Sequence, residues 1–217
     1  MNKIELFCIL TSLLIIFGIS NQENHIVIAL GNVWSKIGND LKEQGNLTGA
    51  IAVYNKALMI EPKNKEILAN KGDTLNLLGN HTGALSVYDK ALRIDPSYVN
   101  ALDGKGWALN ELGNYTQAIT YFDKALQIDP TYKWALSNKG WALNELGNYT
   151  QAITYFDKAL RIDPKLVDAL NFKGQALFNI GNYTGANYYL NKAFKIDPEN
   201  KLLKTYLQKL VLKENNK

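Results

Sequence analysis

The sequence predicts an all-α fold, a right-handed solenoid of five helix-turn-helix repeats followed by a C-terminal capping helix. The first observation is a 34-residue spacing shared by all five prolines of the 217-residue chain, which are Pro62, Pro96, Pro130, Pro164 and Pro198. The second is a Gly-Asn-x-Thr-x-Ala motif that recurs with the same period from Gly45 to Gly181. Because one helical repeat cannot bury its apolar face alone, we expect the units to stack.

Two helices, A and B, are predicted in each unit, with a tight turn at Gly-Asn between them. In the third unit, Leu102 and Leu109 share one face of helix A, and Ala118, Phe122 and Ala125 share one face of helix B. This spacing is typical of helices that bury one side. The proline at the end of each unit stops helix B, because it has no N–H and its ring clashes with the preceding turn.

Small and large residues at fixed positions predict how the two helices pack. Glycine costs about 1 kcal/mol against alanine inside a helix, so its recurrence at one position of helix A indicates a close helix contact. These glycines are Gly38, Gly72, Gly106, Gly140 and Gly174. The large side chains expected to fill the space between units are Tyr54, Tyr88, Phe122, Phe156 and Leu190.

This arrangement of small and large residues resembles the tetratricopeptide repeat over residues 31–200. The first unit carries Trp34, Ile37, Gly38 and Leu41 at the positions where the family has Trp, Leu, Gly and a Tyr-type residue. The resemblance implies repeats at 31–64, 65–98, 99–132, 133–166 and 167–200. Residues 21–30 are predicted to be a connector, and residues 201–217 a capping helix with a basic tail.

The later units depart from the family pattern at the leucine site, three residues after the tryptophan site. The family's leucine is replaced there by Lys71, Lys105, Lys139 and Lys173. A lysine stem can cover apolar surface while its ammonium group stays in water, so the substitution is compatible with the fold.

The first twenty residues differ in character from the repeats and are predicted to be a signal peptide or a membrane anchor. Lys3 precedes an uncharged run from Leu6 to Ile19, which suits the apolar core of a secretory signal better than a full membrane span. Gly18 and Ser20 provide the small residues that cleavage requires. We therefore expect a secreted or membrane-anchored protein with its repeats outside the cytoplasm. A cytosolic protein with an apolar first helix is the third interpretation.

The Gly-Asn-x-Thr motif has two interpretations. In an exported chain, Asn-x-Thr is the acceptor for N-linked glycosylation. Alternatively, the motif is turn chemistry, in which glycine takes a left-handed conformation at the end of helix A and threonine caps helix B. The candidate glycosylation sites are Asn46, Asn80, Asn114, Asn148 and Asn182.

The resemblance implies that the A helices line a concave groove that binds a protein or peptide partner. In units three to five, the groove-facing positions would be Asn100, Asp103, Trp107, Asn110, Glu111, Trp134, Ser137, Trp141, Asn144, Glu145, Asp168, Asn171, Gln175, Phe178 and Asn179. Aromatic rings supply apolar contact area, and amides can pair with a partner's backbone. The predicted binding residues are Trp107, Asn110, Trp134, Trp141, Asn144, Asn171 and Phe178. Alternatively, the tryptophans only bridge adjacent A helices.

Other function classes find little support in the sequence. The net charge of +4 lies within residues 201–217, so the repeats lack the basic stripe of a nucleic-acid-binding protein. The only histidines are His25 and His81, and no catalytic, cofactor or metal motif is visible. We therefore predict a non-enzymatic interaction scaffold without cofactors. The alternatives are a structural or glycan-associated surface component and a cytosolic adaptor of the same repeat family.

Overall fold

A computed structural model describes residues 21–214 of the chain. The predicted signal peptide or anchor, residues 1–20, lies outside the described residues. Within the described range, no helix combines the length and apolar character that crossing a bilayer would require.

The described chain is entirely helical between its turns, in agreement with the predicted all-α solenoid. Eleven helices follow one another in residues 21–214: α1 (Asn21–Glu43), α2 (Leu47–Ile60), α3 (Lys65–Leu77), α4 (His81–Ile94), α5 (Val99–Glu111), α6 (Tyr115–Ile128), α7 (Lys133–Glu145), α8 (Tyr149–Ile162), α9 (Val167–Asn179), α10 (Tyr183–Ile196) and α11 (Lys201–Glu214). Odd-numbered helices α1 to α9 are the A helices, and the even-numbered ones are the B helices. Residues 21–30, predicted to be a connector, form the first part of α1.

The turn between the two helices of each unit is built around a glycine with a positive φ angle. Gly79, for example, has φ of 76°, and the N–H groups of Gly79 and Asn80 bond back to the carbonyls of Asn76 and Leu75. This pattern closes the last turn of helix A, as the Gly-Asn motif predicts.

Helix B is capped by the asparagine of the motif, which corrects the expected threonine cap. The Oδ1 atoms of Asn46, Asn80 and Asn182 each accept a bond from the N–H of a glycine three residues later. Asn114 and Asn148 make no such bond. Glutamine replaces the glycine in those two units, and the glycine sites leave no room for a Cβ beside the asparagine side chain.

The large side chain of helix B is buried, as expected, but it fills the space between the two helices of its own unit; Tyr88 also reaches the next unit at Gly104. Tyr54, Tyr88, Phe122, Phe156 and Leu190 are each 0% exposed. Each packs on the recurrent glycine of helix A, where an added Cβ would lie only 2.5–2.6 Å from the ring or branch carbon. Glycine is therefore required at this position by close packing and not by backbone conformation.

Lys105, Lys139 and Lys173 of the A helices are ion-paired, which corrects the expectation that their ammonium groups stay in water. Lys139 is 7% exposed, bonds to Asp123 of the preceding B helix and lies over the ring of Tyr155. Burial acts to lower the pKa of Lys139, but its bonds to Asp123 and Tyr155 outweigh that effect and raise it. The other two lysines repeat the arrangement with the equivalent aspartates, Asp89 and Asp157.

The A helices form the inner layer of the solenoid. Successive A helices contact one another along the chain, from α1·α3 to α7·α9. Between residues 21 and 214 no B helix makes the same approach to another B helix. The layer whose members lie closer together is the inner side of a curved stack, so the A helices line the concave face. Helix α11 closes the stack, with Leu203 and Leu210 buried against α9 and α10.

Candidate functional site

A cavity of about 690 Å³ lies on the concave face of units three to five. Its walls come from the A helices α5, α7 and α9 and from the capping helix α11. The lining residues are Asp103, Trp107, Glu111, Trp134, Asn138, Trp141, Glu145, Asp168, Phe172, Gln175 and Tyr206. All three tryptophans predicted to face the groove therefore share one cavity.

Aromatic stacking fixes the position of Trp141 in the cavity. The ring of Trp141 stacks on Phe172 with centroids 5.5 Å apart and an interplanar angle of 12°. Phe172 in turn stacks on the buried Phe156 of the core, at 6.3 Å. Trp134 is 42% exposed and offers its ring to solvent. A partner would thus meet a prearranged apolar surface, which reduces the entropy lost on binding.

The polar part of the lining is acidic. It contains Asp103, Glu111, Glu145 and Asp168, and no lysine, arginine or histidine of the described chain belongs to it. Burial raises the pKa of Asp103 to about 7, although a bond from the Asn138 amide opposes the shift. Burial and the nearby carboxylate of Asp197 raise the pKa of Asp168.

Asn110 and Asn144 are buried and do not belong to the cavity lining. Asn110 is 1% exposed, and its Nδ2 donates to the carbonyl of Asn138 on the next A helix at 3.2 Å. Asn76 makes the same bond to Gly104 one unit earlier. Asn144 is 5% exposed at the same repeat position. Both amides are therefore buried, and the role of Asn110 and Asn144 as clamps for a partner's backbone stays a prediction.

Asn171 and Phe178 also lie outside the cavity lining. Asn171 is 3% exposed and accepts a bond from Gln175 Nε2 at 3.0 Å. Phe178 packs edge-on against Tyr183 and Tyr206, at 5.3 and 5.8 Å. Phe178 therefore joins α9 to the capping helix.

Three lining residues were not predicted from the sequence, and all three occupy the same position of their unit or helix. Asn138 and Phe172 occupy the sixth position of units four and five, and Tyr206 is the sixth residue of the capping helix. The same position holds Gly104 in unit three. The replacement of glycine by progressively larger side chains at this position is a signal that could have found them.

The five candidate glycosylation residues Asn46, Asn80, Asn114, Asn148 and Asn182 are all exposed at the turns between helices A and B. None of them belongs to the lining of the cavity.

Comparisons with known proteins agree on one family. Models described as tetratricopeptide repeat match residues 64–131, 98–165 and 137–201, and a model described as TPR repeat matches residues 38–79. Curated proteins gave no significant match.

Similar solved structures share this architecture. A thermophilic TPR protein of Thermus thermophilus has 19% identity and a TM-score of 0.74, covering 84% of this chain and 99% of its own. The PilF protein of Pseudomonas aeruginosa has 22% identity and a TM-score of 0.70, and the match covers 84% of this chain and 87% of PilF. YrrB, a TPR protein with an unusual peptide-binding site, has 23% identity and a TM-score of 0.57, and the match covers 81% of this chain and 90% of YrrB.

Proposed function

The chain belongs to the tetratricopeptide repeat family of protein-binding scaffolds, and we propose that it holds an extended segment of a protein partner in the concave groove of units three to five. The observation that carries this proposal is the convergence of Trp107, Trp134 and Trp141 on one cavity. YrrB, which has a similar fold, is described as having an unusual peptide-binding site, and that description is consistent with a peptide ligand here.

The size and chemistry of the cavity support this function. A volume of about 690 Å³ falls within the range of roughly 300–1,000 Å³ that ligand sites occupy, and it accommodates several side chains of a peptide. Tryptophans that lie in a shaped recess often carry most of the binding energy of an interface. Because the rings project from packed helices, their positions do not depend on a mobile loop.

Replacement of Trp134 tests the groove directly. We expect Trp134→Ala to weaken the binding of a groove partner by roughly thirtyfold or more, because truncation of a central tryptophan typically costs about 2 kcal/mol. The side chain is 42% exposed, so its loss should leave the fold intact. Proteins captured from the native source by the wild-type chain would be retested singly by calorimetry against the variant.

The matched control is Tyr188→Ala, which removes an aromatic ring that is 62% exposed on the B helix α10, outside the cavity. Groove partners should bind this variant as they bind the wild-type chain. Equal binding of every partner to the wild-type chain and to both variants would contradict the proposal.

We further propose that the repeats lie outside the cytoplasm, in a secreted or membrane-anchored protein. The support is the uncharged run from Leu6 to Ile19 with small residues at Gly18 and Ser20. The exposure of all five Asn-x-Thr asparagines is compatible with sugars along one edge of the stack. It also favours a second candidate function, a structural or glycan-associated surface component.

Mass spectrometry of the protein from its native source tests this location. We expect a mature chain that begins at Asn21, or an intact chain in the membrane fraction if residues 1–20 are an anchor. Attached sugars would appear as mass above that of the peptide, and their absence would remove the glycan-associated function. A chain that starts at Met1 in the soluble cytosolic fraction would support the cytosolic adaptor and contradict export.

A further inference from the structure

We propose that the cavity of units three to five binds a lysine or arginine side chain of the partner segment, between the tryptophan rings and the cavity's carboxylates. This inference rests on the proposed function, because it names the chemistry of the partner that the groove would hold. Three features of the cavity support it: its rings, its uncompensated acidic groups and the burial of one of those groups.

The rings of the cavity are suited to a cation. An ammonium or guanidinium group within about 6 Å of an aromatic centroid is attracted to the face of the ring, and tryptophan attracts it most strongly. The chain itself already uses this contact outside the cavity: the ammonium groups of Lys105 and Lys173 lie 4.4 and 3.7 Å from the centroids of Tyr121 and Tyr189. Lys133 lies 4.9 Å from the Trp134 ring, but its charge is compensated by Asp163 at 2.7 Å.

The carboxylates of the cavity lack the partners that other acidic groups of the chain have. Asp89, Asp123 and Asp157 on the B helices each pair with a lysine. In the part of the chain that the structure describes, Asp103, Glu111, Glu145 and Asp168 form no ion pair. Four acidic groups thus line one recess without a cation beside them, and a cationic side chain would supply the opposite charge that they lack.

Other types of partner side chain fit this cavity less well. An acidic side chain or a C-terminal carboxylate would be repelled by the four acids. A purely apolar side chain would remove water from the carboxylates without replacing its hydrogen bonds, which is costly. Lysine and arginine supply both an alkyl stem for the rings and a charge for the acids.

The environment of Asp103 predicts that the affinity of the cavity for a cationic peptide depends on pH. It faces the carboxylate of Asp73 on α3, the hydroxyls of Tyr88 on α4 and Tyr132 before α7, and the amide of Asn138 on α7. Burial raises the pKa of Asp103 to about 7. Below that pH the group is mostly neutral, and above it the group is charged, so we expect a cationic peptide to bind more tightly at pH 8 than at pH 6.

Selection from a phage-displayed library of random linear peptides tests the inference without knowledge of the natural partner. The full chain is the target, and selected peptides are then synthesised and measured by calorimetry. We expect enrichment of lysine or arginine, and about tenfold weaker binding when that residue is replaced by glutamine. Binding to Glu145→Gln should also be several-fold weaker, whereas Glu199→Gln, at an exposed position outside the cavity, should bind like the wild-type chain.

The outcomes separate this inference from the proposed function. Peptides that lose binding to Trp134→Ala but contain no essential lysine or arginine would overturn the inference and leave the groove function intact. If no selected peptide is sensitive to Trp134→Ala, both fail. Self-association of the chain that is abolished by Glu145→Gln would show that a second copy, through its basic C-terminal helix, is the occupant, and it would overturn the assignment to a partner protein.

Discussion

Replacement of Phe156 by alanine is expected to lower the free energy of unfolding by about 3–5 kcal/mol, which is the usual cost of removing a buried ring from a packed core. Phe156 is 0% exposed and fits against Gly140, where an added Cβ would lie 2.6 Å from the ring. The hole cannot close by a small shift, because it lies between helices that are held by the neighbouring units. Urea denaturation followed by circular dichroism would measure the loss.

The control for this experiment is Phe156→Leu. Leucine occupies the equivalent position of the fifth unit, where Leu190 is also 0% exposed, so this variant should lose less than about 1.5 kcal/mol. If the alanine variant lost no more than the leucine variant, the ring would not be the main filler of this core. Because repeat proteins can unfold unit by unit, the unfolding of both variants should be followed by circular dichroism and by a second, independent probe.

Phe156→Ala should also weaken the groove, although Phe156 does not line it. Its ring supports Phe172, and Phe172 supports Trp141. Without the Phe156 ring, Phe172 loses its support and Trp141 can move. Partner binding is therefore expected to weaken at temperatures where the protein is still folded.

The second large effect is expected at Asp103, where asparagine should stabilise the protein at alkaline pH. Burial raises the pKa of Asp103 from 3.8 to about 7. The folded state therefore keeps a proton that the unfolded state releases near pH 4, so stability falls as the pH rises from about 4 to 7. A difference of about three pH units corresponds to roughly 4 kcal/mol at most.

The measurement is the free energy of unfolding of wild type and Asp103→Asn at about pH 4 and pH 8. At the lower pH the folded wild-type carboxyl is protonated and the unfolded one is only partly ionised, so the two proteins should differ little. At the higher pH the variant should be more stable by up to a few kcal/mol, because it avoids a buried charge. The same advantage at both pH values would show that Asp103 is not the group that loses a proton in this range.

Much of the fold follows from the sequence because the repeat makes each local signal appear five times. Gly79 and its counterparts predict the left-handed turn, and the buried rings from Tyr54 to Phe156 are recognisable as large residues opposite glycines. The threonine cap was a wrong prediction, because the asparagine of the same motif is closer to the first free N–H groups of helix B. The lysines of helix A were also misjudged, since the aspartate partners of Lys105, Lys139 and Lys173 lie 16 residues away on a different helix.

The candidate site was predicted only in part. Trp107, Trp134 and Trp141 were placed in the groove by their positions in the unit, and they line the same cavity. Asn110 has an equivalent groove-facing position but is buried, because consecutive A helices approach closely enough for its amide to reach the carbonyl of Asn138. The position of a residue in the repeat predicts which way its side chain points from its own helix. Whether that side chain is buried depends on the distance to the next helix.

The period, the two helices of each unit, the turn between them and the face that each helix buries can all be predicted from the sequence, since they follow from contacts between residues close in the chain. The side chains of successive units that meet are visible only in the folded stack: the pairing of Lys139 with Asp123, the stack from Phe156 through Phe172 to Trp141, and the four acids without an ion pair around three tryptophans. The physical reason is that these contacts depend on the curvature and spacing of stacked units, which no single 34-residue unit specifies.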